Sequence, residues 1–111
     1  MLSLAEAQKA YDQASSYLSE TQGIESYLYH ELEKAKKRLN RAIMIFKIIK
    51  SILPPENWLY CIAAKNIEQK RGILKHIQEQ IPFATSEFDK ALDNKMNANF
   101  DLLNVQCTNI E

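Results

Sequence analysis

Residues 28–53 read LYHELEKAKKRLNRAIMIFKIIKSIL, and Pro54 and Pro55 follow directly. The apolar residues in the first half of this stretch are spaced as on an amphipathic helix, whereas the second half, from Ala42 to Leu53, is apolar nearly all the way round. A helix that is apolar on every side is typical of a position covered by other helices. The stretch therefore predicts the central helix of a helical bundle.

The composition indicates one helical domain over residues 1–111. Apolar residues make up 46% of the chain, but two glycines and three prolines are too few for the turns of a sheet protein. The longest apolar run is interrupted by Lys47 and Lys50, and the first residues lack a signal-peptide pattern. We expect a soluble, cytoplasmic protein without a membrane span, in which Cys61 and Cys107 are buried, reduced thiols.

Helix boundaries follow from capping and breaking residues. Ser3 and Glu6 form a capping box, Pro54 and Pro55 impose a turn, and Gly23 and Pro82 lie about thirty residues on either side of that turn. Breaks at Gly23 and Pro82 would give helices at about 4–22, 24–53, 55–81 and 84–104. The prediction is then an all-α fold, an up-down four-helix bundle.

An alternative fold follows if neither Gly23 nor Pro82 breaks its helix. Two arms of about fifty residues would then form a long helical hairpin, since apolar residues alternate by three and four along both arms. Such a hairpin would have to dimerise, because four apolar residues would be exposed: Ile45, Ile48, Leu59 and Ile62.

Helical spacing also predicts which side chains are buried. The apolar stripe of the last helix is read as Phe88, Leu92, Met96, Phe100 and Leu103. Across the chain the residues expected to be mostly buried are Leu32, Leu39, Ile43, Phe46, Ile49, Ile67, Leu74, Ile77, Leu92 and Phe100.

No pattern for catalysis, metal or cofactor binding is present in the sequence. The two histidines, His30 and His76, have no metal-ligand spacing, and two isolated glycines cannot form a phosphate-binding loop. We therefore predict a chain that is not an enzyme, with no metal site and no cofactor.

One short spacing resembles a known family. Arg71, Gly72, Ile73, Leu74, Lys75 and His76 place an arginine and a histidine with four residues between them, which is similar to the signature of the helical HEPN ribonucleases. The resemblance implies an RNA-cleaving role in which Arg71 and His76 act together across a dimer. Gly72 departs from the polar residue that the family usually has there.

The charges are arranged as acidic, basic and acidic segments although the formal net charge is zero. Residues 34–75 carry eleven basic residues against Glu56 and Glu68. Tyr17, Tyr27 and Tyr29, which could stack on bases, lie in the acidic segment before it, which disfavours nucleic acid as the ligand. A charged helical scaffold with exposed aromatics favours a partner protein that is acidic at its contact surface.

The predicted function is therefore a non-enzymatic helical protein-binding module, such as an immunity or antitoxin-like inhibitor, a secretion chaperone or an assembly adaptor. A nucleic-acid-directed helical protein, HEPN-like ribonucleases included, and a coiled-coil structural subunit are the alternatives. The chain is expected to be a monomer or homodimer. The candidate partner-binding residues are Tyr17, Tyr27, Tyr29, Lys36, Lys37, Arg41 and Trp58.

Overall fold

The protein folds into two long helices. The computed structural model describes the backbone of residues 2–110 and the side chains of residues 2–108. Within these residues the chain forms α1 (Leu4–Ile52) and α2 (Trp58–Ile110), with no strand. The all-α prediction is confirmed. The number of helices agrees with the two-arm alternative and not with four separate helices.

Local sequence accounts for the start of α1 and for the turn. The Glu6 amide donates a 3.2 Å hydrogen bond to Ser3 Oγ, as the capping box predicts. After the prolines, the Asn57 amide donates to the carbonyl of Pro54 at 3.0 Å, and Asn57 Oδ1 accepts from the Leu59 amide at 2.9 Å. The second helix therefore begins at Trp58, three residues later than predicted, because Asn57 serves as its N-cap.

The predicted breaks at Gly23 and Pro82 are wrong. Gly23 lies inside α1 without a positive φ angle, and Pro82 lies inside α2. A glycine costs a helix only about 1 kcal/mol and a proline about 3 kcal/mol. The alternating spacing of three and four continues in phase through both positions, from Ile81 to Ala84 for example, so both penalties are offset by burial along the seam.

Contacts divide the chain into two compact units, a central one and a terminal one. The central unit is Tyr27–Ile81, in which the second half of α1 and the first half of α2 form a helical hairpin around the proline turn. The terminal unit joins Met1–Ser26 to Pro82–Glu111, with one segment from each helix.

Small side chains fill the seam of each unit. The buried residues of the central unit are Leu32, Ala35, Ala42, Ala63 and Ile67, and those of the terminal unit are Ala7, Thr21, Ala84, Ala91, Ala98 and Leu102. Alanine at a helix contact lets two helices approach closely. Thr21 is accommodated because its hydroxyl donates to the Leu18 carbonyl at 2.9 Å.

The burial predictions hold only in part. Leu32 and Ile67 are buried as expected, whereas Leu92 and Phe100 are 40% and 60% exposed, which contradicts the prediction for them. Beyond Pro82 the buried positions of α2 are mainly alanines, and the stripe that contains Leu92 and Phe100 lies outside the seam. The remaining predicted core residues are half-buried: Leu39, Ile43, Phe46, Ile49, Leu74 and Ile77.

Many large apolar side chains of the two helices are exposed, from Leu4 in α1 to Leu103 in α2. No large side chain is fully buried in the part of the chain that the structure describes. The helices therefore leave much of their apolar surface uncovered.

Candidate functional site

A row of exposed aliphatic side chains lies on the central unit next to the proline turn. Its members on α1 are spaced by three and four residues, and those on α2 by three, so each set occupies one side of its helix. Their exposed fractions range from 40% to 72%. We define the central apolar surface by these residues: Ile45, Ile48, Ile52, Leu59 and Ile62.

Part of this surface is a groove between the two helices. Ile45 and Ile49 line it from α1, and Leu59, Ile62 and Ala63 line it from α2, around a volume of about 440 Å³. A groove of this kind between two helices is the shape that accepts the apolar side of another helix.

Basic side chains border the central apolar surface. Arg41 precedes Ile45 by one helical turn, Arg38 lies one turn earlier, and Lys65 lines the groove itself. All three are exposed, and none forms an ion pair within the described residues. Because residues 34–75 contain only two acids, the border of this surface is electrostatically positive.

The other side of the central unit has a second groove of about 390 Å³. Phe46 and Ile67 contribute to its apolar lining, and Lys47, Lys50 and Arg71 surround it. Phe46 also packs edge to face against Tyr60, with ring centroids 5.0 Å apart. This basic groove is distinct in its residues from the central apolar surface.

The terminal unit carries its own exposed apolar stripe. Its members lie four, four and three residues apart along one side of α2 and are 40% to 60% exposed. The first two also line a groove of about 250 Å³ together with Tyr11 and Leu18 of α1. We define the terminal apolar surface by four residues: Leu92, Met96, Phe100 and Leu103.

Acidic side chains border the terminal apolar surface. Asp89 and Asp93 precede Leu92 and Met96 by three residues, and Asp12 follows Tyr11 on α1. Lys95, a cation in this groove, lies with Nζ 5.9 Å from the centroid of the Tyr11 ring. Asp12, Asp89 and Asp93 outnumber Lys95, so the border has a net negative charge, opposite in sign to the border of the central apolar surface.

The two units also carry opposite formal charges. The central unit has eleven basic and five acidic residues, and the terminal unit has three basic and nine acidic residues. Their net charges are +6 and −6. The neutral net charge of the chain therefore conceals two strongly charged units.

Tyr17 pairs with Glu87 in the terminal unit. The Tyr17 hydroxyl donates a 2.7 Å hydrogen bond to Glu87 Oε2. This bond, followed by partial desolvation and nearby carboxylates, raises the pKa of Tyr17 above its ordinary value. The same bond, followed by the attraction of Lys90, lowers the pKa of Glu87. Tyr17 is thus hydrogen-bonded within the fold and is also 38% exposed.

The other candidate aromatics are exposed on the central unit. Tyr27, Tyr29 and Trp58 are 62%, 47% and 66% exposed. Trp58 lies four residues before Ile62 and therefore adjoins the central apolar surface. The tyrosines lie at the far end of the α1 segment from Ile52.

The candidate basic residues do not form one cluster. Arg41 belongs to the border of the central apolar surface, but Lys36 is five residues away, about 140° around the helix axis. Lys36 Nζ lies 3.6 Å from Glu33 Oε1, and Lys37 is exposed to solvent. Of the three, only Arg41 contributes to that border.

The structure separates the two residues of the HEPN-like spacing. Arg71 and His76 are also five residues apart on α2, about 140° around its axis. Arg71 borders the basic groove, whereas His76 Nε2 lies 2.9 Å from the side-chain nitrogen of Gln80. Within one chain they do not converge on a common site.

Other chemical features are sparse in the described residues. Cys61 and Cys107 are free and exposed, so the prediction that they are buried is wrong. No group of histidine, cysteine and carboxylate side chains in the described chain could hold a metal ion. Neither helix contains, over its described length, an apolar stretch long enough to cross a lipid bilayer.

The sequence predicted exposure of four residues of the central apolar surface only for the alternative fold. It placed the residues of the terminal apolar surface on the apolar stripe of the last helix, with Leu92 and Phe100 in the core. The register of α2 could have identified the terminal apolar surface from the sequence. Continuing the spacing of three and four from Ile77 and Ile81 reaches Ala84, Ala91 and Ala98 and leaves the larger residues outside.

Comparisons with known proteins found no relative: no protein-family model, no curated protein and no solved structure matches the chain. Functional inference therefore depends on the surfaces described above.

Proposed function

We propose that the chain is a non-enzymatic helical protein-binding module whose contact surface is the central apolar surface. The observation that carries this proposal is the row of exposed isoleucine and leucine side chains beside the proline turn, bordered by basic residues. Soluble monomeric proteins rarely expose large apolar patches, and those that do commonly use them as interaction sites.

The energetics favour a cover for this surface. Fully burying an isoleucine or leucine side chain stabilises by about 1.5 to 3 kcal/mol. Ile48 is 56% exposed and Ile52 is 72% exposed, so more than half of the free energy of burying these side chains is not gained in the chain alone. A further helix docked along the central apolar surface would bury them, as an amphipathic helix does in a hydrophobic groove.

The border residues specify the chemistry of the partner. Arg38, Arg41 and Lys65 would attract a helix with acidic residues beside its apolar side and would disfavour a basic one. A surface of this kind would serve an immunity-type inhibitor, a secretion chaperone or an assembly adaptor, and we propose such a role in the cytoplasm.

A designed peptide tests this proposal. We expect an amphipathic helix of about 20 residues, with leucines on one side and glutamates beside them, to bind and shift the fluorescence of Trp58 to the blue. The same peptide with lysines in place of the glutamates should bind at least about tenfold more weakly. Equal affinity for both peptides would contradict the assigned role of the basic border.

A matched pair of variants locates the binding site. Ile48 and Ile24 are both isoleucines of α1 and both are 56% exposed, but Ile24 belongs to the terminal unit. Ile48→Gln should weaken binding of the acidic peptide, because it removes apolar contact without changing charge, and Ile24→Gln should leave it unchanged. An equal effect of both substitutions would refute the central apolar surface as the site.

A second candidate function is binding of nucleic acid along the basic groove. Lys47, Lys50 and Arg71 surround that groove, and the unit that contains it has a net charge of +6. Such binding would weaken steeply between about 50 and 200 mM salt. Lys47→Glu with Lys50→Glu should abolish it, whereas the acidic peptide should still bind to the other side.

A further inference from the structure

We infer that the occupant of the central apolar surface is the terminal apolar surface of a second copy of this chain. The inference rests on the proposed function, because it names the partner of the same surface. Both surfaces are exposed rows of large apolar side chains, and their borders carry opposite charge.

Charge selects the terminal unit over a second central unit. Two central units would bring net charges of +6 together, with Arg38, Arg41 and Lys65 facing their own equivalents. The terminal unit instead offers a net charge of −6 and places Asp89 and Asp93 beside the apolar stripe. Opposite charges beside an apolar contact favour that pairing and disfavour pairing of like units.

The stripe has the form of a docking helix. Leu92, Met96, Phe100 and Leu103 follow one side of α2 over about 17 Å, with the spacing of anchors that insert into a groove between helices. Each contact would join two helix segments of the central unit to two of the terminal unit. The predicted packing of four helices would then arise between chains.

A stable interface would cover a small part of the surface of the chain. A stable interface covers about 800 Å² on each partner, which is about a tenth of the 8226 Å² that this chain exposes. Each chain has both surfaces, so two copies can contact each other reciprocally. Of the two arrangements that such a contact allows, a closed two-fold dimer and an open chain of copies, we infer the closed dimer.

Charge reversal tests the inference on the full chain by sedimentation equilibrium under reducing conditions, which exclude a disulfide between exposed cysteines. The first variant reverses the central border by three substitutions: Arg38→Glu, Arg41→Glu and Lys65→Glu. The second reverses the terminal border in the same way: Asp12→Lys, Asp89→Lys and Asp93→Lys. Helical circular dichroism establishes that each variant folds.

The wild-type chain should be a dimer at about 100 μM, and each variant alone should dissociate at least about tenfold more readily. An equal mixture of the two variants should form a heterodimer, because both contacts then regain opposite charges. Phe100→Gln should weaken the wild-type dimer, whereas Ile24→Gln should not.

Several outcomes would overturn the inference. A wild-type chain that is monomeric at about 100 μM has no such partner, and if it still bound the acidic peptide, the proposed function would survive with a helix from another protein as the ligand. Dimers that persist in both charge variants would mean that different surfaces pair. Species larger than a dimer would refute the closed two-fold arrangement.

Discussion

Replacing Phe46 with alanine tests how the central unit is held together. Phe46 lies on the α1 side of the basic groove, is half-buried, and packs edge to face against Tyr60 with an angle of 68° between the rings. Alanine would remove both the apolar contact and the aromatic pair. Phe83 is a suitable control, because it is a phenylalanine of α2 that is 75% exposed.

The expected loss follows from these contacts. A fully buried phenylalanine costs about 3 to 5 kcal/mol when truncated to alanine. About half of that applies to a half-buried side chain, and the edge-to-face pair adds about 0.5 to 1.5 kcal/mol. Phe46→Ala should therefore lower the free energy of unfolding by about 2 to 4 kcal/mol, whereas an exposed substitution such as Phe83→Ala should change it by less than about 0.5 kcal/mol.

Urea unfolding followed by helical circular dichroism measures this difference. With an m-value of about 1 to 3 kcal/mol/M, the midpoint of Phe46→Ala should fall by about 1 M or more. All variants need the same protein concentration, because association would shift the apparent stability. A double-mutant cycle with Tyr60→Leu and Phe46→Leu isolates the aromatic pair. Equal midpoints for Phe46→Ala and Phe83→Ala would refute the packing described for the central unit.

Three further predictions concern the terminal unit. Gly23→Ala should stabilise by about 1 kcal/mol in urea unfolding, because the helix continues there and an added methyl group meets open space; destabilisation would indicate a helix end. Glu25→Leu should stabilise by about 1 to 3 kcal/mol, because one Glu25 carboxylate oxygen is buried without a hydrogen-bond partner; exposed Glu20→Leu is the control, and equal effects would refute the reasoning. Tyr17→Phe should destabilise at neutral pH. The difference in the free energy of unfolding between this variant and the wild type should shrink as pH falls through the lowered pKa of Glu87, below its usual 4.5. It should also shrink as pH rises through the raised pKa of Tyr17, above its usual 10.0. A difference that does not depend on pH would contradict the pair.

The sequence predicts the parts of this fold that local chemistry decides. Ser3 and Glu6 mark the start of α1, because Ser3 Oγ accepts from the free backbone amide of Glu6. Two consecutive prolines mark the turn, because proline has no backbone amide to donate to the preceding helical turn. The exposure of Ile45 and Ile62 also follows from the sequence once the chain has only two helices.

The remaining features depend on balances that local sequence does not resolve. The helix penalty is about 1 kcal/mol at Gly23 and about 3 kcal/mol at Pro82. Side-chain burial along a continuous seam stabilises the helices by more than these penalties, so neither residue ends its helix. Side-chain size misleads for a similar reason. Leu92 and Phe100 are the stronger hydrophobic residues, but Ala91 and Ala98 are the ones in register with the preceding seam.

The placement of small side chains in the seam and large ones outside it also bears on the candidate site. A two-helix protein that functioned alone would be most stable with its large apolar side chains in the seam and small or polar ones outside. Here alanines such as Ala91 and Ala98 occupy the seam, and Met96 and Phe100 lie outside it. Met96 and Phe100 lie outside the register of the seam, which Leu102 follows as a buried residue, so a cover for them has to come from outside the seam. The opposite charges beside the two exposed surfaces then determine which surface can provide that cover.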